Sequence, residues 1–403
     1  CLSKKIKKVV NVGPTPIADK YVNKNNKKNF YEVPLDLYIC KKCGHVQLIH
    51  IVNPDYLWKN FSFKTGEFNF ELVEHFSKIF LKIKKKNILN RKDLILDIGS
   101  NDGSFLKIFK KNNYKNILGI DPSKKIVQFA NKSNLRTITG YFNYENSIKI
   151  SNKFGKPKII TSFNSFAHSD DIRGIVKGIK NILHNEGIFV FKVSYLLDVI
   201  KKRLLGTIFH EHLDYHSVTC LKNFLKNYNL DLFEVERNNY QGGSIIGYVQ
   251  HVGGKFKHKS EMKKLLASEQ RLKLNSPKNL KKFNEDLINE KKKIFSLLQK
   301  LKSKGNKIVG FGASRSSITF FNYFKIGKFI SSVFDENKLK IKKYYPKTNT
   351  QILQMKKMSE SEFNYVIVLA WLHTNRIIKN LKQRISNKVK FISIYPKVKI
   401  SNN

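Results

Sequence analysis

The stretch DLILDIGSNDGSFLKIFKK, residues 93–111, constrains the fold more than any other part of the chain. An apolar run leads directly into a turn with two glycines, and a run at helical spacing follows. YKNILGIDPSKKIVQFANK, residues 114–132, repeats the scheme with Asp121 where the apolar run ends. KPKIITSFNSFAH and GIFVFKVSYL read as a third and a fourth strand, and DDIRGIVKGIKNIL fills the gap between them as a helix. Buried strands that alternate with helices predict a parallel, doubly wound α/β sheet.

At 403 residues the chain exceeds one ordinary core, and more domains are expected. NKIVGFGASRSS, residues 306–317, opens a second strand–turn–helix. FISSVFDENK, FNYVIVLAWLH and KVKFISIYPKV continue that second α/β domain over 305–403. Residues 255–304 are polar and lysine-rich. Leu280, Phe283, Leu287, Ile294, Leu298 and Leu301 nevertheless fall on a three-four stripe, which predicts a helical linker. EFNFELVEHFSKIFLKIKK, 67–85, also has helical spacing and opens the first α/β domain, placed at 61–254. Residues 1–60 read as a small module with a proline-rich turn, VGPTPIADKY, and short strands.

YICKKCGHVQL carries Cys40 and Cys43 at C-x2-C spacing with Gly44 next, a pattern that aims two thiolates at one tetrahedral zinc ion. Upstream the sequence offers Cys1 as a third ligand. Since the chain starts on that cysteine without a methionine, the expectation is a shortened start with the fourth ligand just ahead of it. Two buried thiols in a hairpin are the plainer reading. Cys220 reads as a core residue.

The turn after the first strand sits where open α/β sheets bind ligands. Its spacing is Gly99-x-x-x-Gly103, not the G-x-G-x-x-G of a pyrophosphate cradle. Asp97 and Asp102 add negative charge, which suits a cationic ligand. S-adenosylmethionine (SAM) carries an ammonium and a sulfonium and no phosphate. Asp121, 22 residues after Gly99, stands where an acid can accept both ribose hydroxyls. The second turn, Gly310-Phe311-Gly312-Ala313, has Asp335 23 residues beyond Gly312. A lone G-x-G is a frequent packing device, so a structural or substrate-facing role is favoured there over a second cofactor.

The formal charge of +46 raises the question of a nucleic acid or an anionic membrane as partner. The lysines are spread over every segment among Asn, Ile and Phe, with no arginine-rich arm and no aromatic RNA-binding signature, so no nucleic-acid partner is read from the charge. No apolar run approaches the roughly 18–20 residues of a membrane span, and no membrane partner is expected. No signal-peptide pattern opens the chain, so the expected compartment is the cytoplasm.

GTIFHEHLDYHS, residues 206–217, crowds three histidines and two acids together. A metal site, proton transfer and a satisfied structural cluster all remain open. His212 and His216 are four apart, as one helix face would require for a metal. The zinc-peptidase H-E-x-x-H is absent, because Asp214 stands where its second histidine belongs.

Zinc knuckle, SAM-type turn, TIFHEH, a GGS segment and GFGAS, in this order, resemble the three-domain sugar C-methyltransferases that act on nucleotide-linked 4-keto-deoxysugars. The resemblance covers essentially the whole chain. It implies a zinc-binding N-terminal domain, a class I SAM-methyltransferase domain with a Rossmann-like sheet and a C-terminal Rossmann-like domain. It also implies methyl transfer to a carbon beside a ketone, through an enolate. By that resemblance His212 is the base, Glu211 orients it or shares its proton, and His168 donates to the enolate oxygen. Asp97, Gly99, Asn101, Asp102, Gly103, Asp121 and Asn164 line the SAM pocket. Tyr195, Gly242, Gly243 and Ser244 face the sugar, and Cys1, Cys40 and Cys43 hold the zinc. The chain departs from the family where Phe209, and Phe61 or Phe63, stand in place of tyrosines. Gln241 replaces a common histidine, and Lys192 stands where an acid is frequent. An O-methyltransferase, a non-catalytic SAM- or nucleotide-sugar-binding protein and an RNA-modifying methyltransferase are the competing readings.

Overall fold

The computed structural model describes every residue except 60, 69, 387, 395, 396 and 403, together with the backbone but not the side chains of 67, 68 and 70. The helix expected over 67–85 runs as Thr65–Phe68 and Phe70–Lys85, with residue 69 outside the described residues. Of the last expected strand, 388–398, residues 395 and 396 also lie outside them. The chain forms two compact units. One holds Cys1–Leu2, Val52–Tyr195 and Leu213–Leu274, and the other holds Ser3–Ile51, Leu196–His212 and Asn275–Asn403.

The first unit is built on a seven-stranded sheet. Its order is Leu230–Asn238, Ser244–His251, Ile188–Ser194, Ile159–Phe163, Ile95–Ile98, Ile117–Asp121 and Thr137–Thr139. The last five strands run parallel, and Ser244–His251 is antiparallel to both of its neighbours. The central strands are buried along their whole length, as helices on both faces require. The helices start where side chains can take up orphan amides. Ser123 caps Lys124–Lys132, Asn143 caps Tyr144–Phe154, Asp171 caps Ile172–Ile182 and Ser217 caps Val218–Lys226. An aromatic cluster of Phe76, Phe80, Phe105, Phe109 and Phe163 fills the core against one face.

The second unit has a six-stranded sheet. The order is Gln351–Gln354, Ile330–Asp335, Ile308–Phe311, Tyr365–Val368, Lys390–Ser393 and Lys399–Asn402, and only the last strand is antiparallel. The helix Pro277–Ser303 starts at Ser276, whose side chain caps it, with proline at its first position. All six residues of the predicted stripe are buried on it. Glu290 is buried in line with them, and its carboxylate accepts from Val398 N at 2.8 Å. Ile6–Val10, Leu37–Cys40 and Val46–Gln47 pair antiparallel around the cysteine turn.

Candidate functional site

In the first unit the turn follows the strand Ile95–Ile98. Asp97 is buried and accepts from Thr161 Oγ1 at 2.6 Å. Burial pushes its pKa up to about 7. The Thr161 hydrogen bond opposes that rise and the Asp121 charge adds to it. Gly99 has φ +69°, and a Cβ there would meet Ser165 Cβ at 2.5 Å. Gly103, at φ +73°, leads into the helix Ser104–Lys111. Asp121 accepts from Asn101 N at 3.0 Å and from Ser123 N at 2.9 Å. Burial raises its pKa; the two amide donors oppose this and the Asp102 charge adds to it.

Residues 61–66 lie across this turn. Asn101 donates through Nδ2 to Phe63 O and accepts from Thr65 N, both at 3.0 Å. Asp102 accepts from Gly66 N at 2.7 Å, and Ser123 Oγ donates to Phe61 O at 2.6 Å. The structure thus brings Asp97, Gly99, Asn101, Asp102, Gly103 and Asp121 into one locus at the carboxyl edge of the sheet. Three buried carboxylates, Asp97, Asp102 and Asp121, dominate it, a donor set fit for a cationic ligand of SAM's charge and unfit for a phosphate.

Asn164 follows the next strand, Ile159–Phe163, at φ 62°. Its Oδ1 accepts from Lys192 Nζ at 3.1 Å. His168 stacks on Trp58, with ring centroids 5.3 Å apart and planes 6° from parallel. Tyr195 is fully buried, and its hydroxyl donates to Glu269 Oε1 at 2.8 Å. Glu269 also accepts from the amides of Val218 and Thr219, so the Tyr195 oxygen is engaged inside the unit. Asn238 Oδ1 pins the GGS loop by accepting from Tyr240 N at 3.0 Å and from Ser244 Oγ at 2.8 Å. Gly243 O accepts from Tyr195 N at 3.3 Å, and Gly242 sits in the same loop at φ +87°.

His212 and Glu211 fall in the second unit. His212 Nδ1 lies 2.8 Å from Thr207 O. A carbonyl only accepts, so Nδ1 carries the proton and Nε2 the lone pair. The ring lies 4.0 Å from that of Phe209. Glu211 is buried and paired with Arg315. Burial pushes its pKa up, and the Arg315 guanidinium pulls it down. His210 is buried, its Nε2 3.0 Å from Val33 O, and burial lowers its pKa to about 4. No helix runs from His210 to His216: residues 210 and 211 form a turn, His212 N donates to Phe209 O at 2.9 Å, and His216 bridges to Tyr195.

In the second unit's hairpin, Gly44 N donates to Cys40 O at 2.8 Å, closing the knuckle with Gly44 at φ +74°. Cys40 and Cys43 bring two thiols to that one turn, while Cys1 belongs to the first unit. Two thiolates from one such turn are a common half of a tetrahedral zinc site, with sulfurs at about 2.3 Å from the ion. Burial pushes the Cys40 thiol up, but N–H donation from Cys43 and Lys42 outweighs it and leaves the group below the usual thiol range. The donors present therefore fit a structural zinc.

Within the first unit Lys192, Trp58 and Thr161, and within the second Arg315, each touch a residue of the predicted set. Sequence reasoning marked only Lys192 among them, and only as a departure. Among the described residues no helix is long and apolar enough to cross a membrane.

A parallel sheet with one reversed strand next to its last, a glycine turn after the first strand and an acid after the second define the class, a SAM-dependent methyltransferase. Family models match in series along the chain: a zinc binding domain over residues 1–58, a methyltransferase domain over 67–235 and a C-methyltransferase C-terminal domain over 239–396. The chain belongs to the SAM-dependent C-methyltransferases with this three-domain order. The C-methyltransferase NovU of Streptomyces niveus is 24% identical over 394 residues, which is 97% of this chain and 93% of that protein. Solved structures with partial likeness include a SAM-dependent methyltransferase from Clostridium acetobutylicum, 16% identical over 45% of this chain and 92% of that one, with a TM-score of 0.37. Magnesium protoporphyrin IX methyltransferase from Synechocystis is 12% identical over 44% of this chain and 81% of that one, with a TM-score of 0.33. The class rests on the strand order, the turn and the family models rather than on these likenesses.

Proposed function

We propose that the protein methylates a carbon next to the ketone of a nucleotide-linked keto-deoxysugar, in the cytoplasm. The observation that carries the reading is the hydrogen bond from His212 Nδ1 to Thr207 O, which leaves Nε2 basic. His212 Nε2 takes the proton from the carbon beside the ketone, and the C–H pair moves into an enolate. SAM, when bound, would supply an electrophilic methyl group to the enolate carbon, the C–S pair remaining on its sulfur as the C–C bond forms. His212 then releases its proton to solvent. His168, held by Trp58, is one donor to the enolate oxygen. Glu211, paired with Arg315, acts on His212 through the adjoining backbone. The Asp97, Asp121 and Asn101 locus receives the cofactor. The NovU likeness and the C-methyltransferase domain support carbon as the site of attack.

The test is incubation with SAM and nucleoside diphosphate-linked 4-keto-6-deoxyhexoses, read by mass spectrometry. A methyl stable to mild base on a sugar fragment is expected. Without SAM, solvent deuterium should enter the carbon beside the ketone, and His212→Ala should abolish that exchange. Methylation at a hydroxyl without exchange would replace the reading with O-methylation. SAM binding without turnover would leave a binding protein.

A further inference from the structure

Lys192 is 0% exposed, and among the described residues no carboxylate pairs with it. Lys158, the other buried lysine among them, pairs with Glu186 at 2.7 Å. Lys192 instead places Nζ 3.1 Å from Asn164 Oδ1, 2.8 Å from Gln241 Oε1 and 4.2 Å above the centre of the Tyr240 ring. His75 stacks on the same ring, at a centroid distance of 4.9 Å. An ammonium has only donors, so it dictates which end of each amide faces it. Both carbonyl oxygens turn toward Lys192, and both NH2 groups turn away from it.

The two amide residues are half-buried and hold backbone conformations sparsely populated by residues with a Cβ. Asn164 has φ 62°, and Gln241 has φ 53° and ψ 37°. Such conformations persist where the surroundings over-determine them, often at ligand sites. Burial draws the lysine pKa down to about 7. A neutral amine keeps two N–H donors, so the amide orientation survives its titration.

Sheet order says which ligand is near. Asn164 follows Ile159–Phe163, Lys192 pairs with Phe163, and Gln241 stands just ahead of Ser244, which pairs with Ser194. All three therefore lie at the same carboxyl edge as the Gly99 turn. Asp121 lies one strand to one side of that turn, and Lys192 lies two strands to the other, about 10 Å at the usual spacing. A ribose at Asp121 leaves the Lys192 side to the acceptor.

We propose that Lys192 is a positioning residue that turns the amides of Asn164 and Gln241 outward as a pair of neutral donors for the ketone oxygen of the acceptor, the oxygen that becomes the enolate oxygen. This rests on the function proposed above. The pair supplies in amide form what a histidine at position 241 would supply as an imidazole donor.

The test uses the full chain with thymidine diphosphate 4-keto-6-deoxyglucose and its uridine counterpart as probes. Gln241→Glu keeps the shape, gains an ion pair with Lys192 and replaces the outward donor with an acceptor. Its kcat for deuterium exchange and methylation should fall about 100-fold, the usual loss for one oxyanion donor. SAM affinity, read by calorimetry, should stay within about threefold. Lys192→Met should lower kcat about tenfold with SAM affinity kept, and Lys192→Arg, again donor-only, should restore part of it. Asn164→Asp borders the cofactor locus and should lower both. Wild-type protein that acts on a probe while Gln241→Glu and Lys192→Met match it would overturn the inference alone. Wild-type protein that neither exchanges nor methylates any probe would overturn the function, and this inference with it.

Discussion

The chain contains the same turn twice, and the two copies have different surroundings. Gly99 N donates to Ile120 O and Gly312 N to Phe334 O, each at 2.8 Å. Asp121 accepts from Asn101 N and Ser123 N, and Asp335 from Ala313 N and Asn337 N. In each, the acid after the second strand ties the turn of the first strand to its own loop. The difference lies in what surrounds this shared frame. The first turn has Asp97 two residues before Gly99, where the second has Gly310 two before Gly312. At the second turn, Tyr21 and Lys340 already bind the chain: Tyr21 OH donates to Ala313 O at 2.9 Å and Lys340 Nζ to the same oxygen at 2.8 Å. One frame presents carboxylates, and the other has its carbonyls bound by side chains of its own unit. The acid at ribose distance is thus first a structural device of the turn, and the proposed cofactor site differs from the second turn by its extra carboxylates.

Substituting the positive-φ glycine just after the first strand of each turn should separate the two turns most sharply. Gly99→Ala forces a Cβ to 2.5 Å from Ser165 Cβ at φ +69°, and Gly312→Ala one to 2.6 Å from Ala370 Cβ at φ +86°. Both should lower thermal stability, by about 2–3 kcal/mol for strain of this kind. Only Gly99→Ala should also weaken SAM binding, about 100-fold or about 2.7 kcal/mol. Calorimetry on both folded variants checks it. Equal SAM affinity in the two would remove the distinction between the turns.

A middle-sized effect comes from the carboxylate that the second turn lacks. Asp97 in the free protein has its pKa raised to about 7 by burial. A cationic cofactor favours the carboxylate and so lowers that pKa when it binds. Affinity should therefore fall as pH drops below about 7, by up to about tenfold per pH unit. Asp121 is raised too, with the same sign. The folded free protein binds the proton that the unfolded chain has already released, so the stability of the free protein falls as pH rises from about 4 to about 7 and levels off above. Asp97→Asn should flatten the affinity profile between pH 8 and 6. An unchanged profile in that variant would assign the effect elsewhere.

The frame of both turns was legible in the sequence, because strand, glycine and acid are a local pattern with fixed spacing. The buried stripe on Pro277–Ser303 was legible for the same reason, except for Glu290, whose partner is Val398 N, 108 residues away. What surrounds the turns was not legible. Thr161 beneath Asp97, residues 61–66 across Asn101, and Arg315 on Glu211 are partners 36 to 104 residues distant with no local signature. Lys192 shows the limit best. Sequence marked it as an unusual residue, but its amide partners come from two other loops, and only the fold brings them to one Nζ.

The smallest effect concerns what fills the second turn. Tyr21 OH contacts Ala313 O, Ser314 O and Ser317 Oγ, and Tyr345 OH lies 2.9 Å from Ser317 Oγ. Burial pushes the Tyr21 pKa up, so the hydroxyl stays protonated and donates to the turn. Tyr21→Phe keeps the ring on Tyr345, at a centroid distance of 5.0 Å, and removes one donor from two partly buried carbonyls. Lys340 still satisfies Ala313 O, so the loss should be about 1 kcal/mol, a shift of a few degrees in melting temperature. SAM affinity should not change. A large gain in nucleotide or SAM binding by Tyr21→Phe would mean that the hydroxyl holds a second ligand site closed, and the two turns would differ by one oxygen atom rather than by their carboxylates.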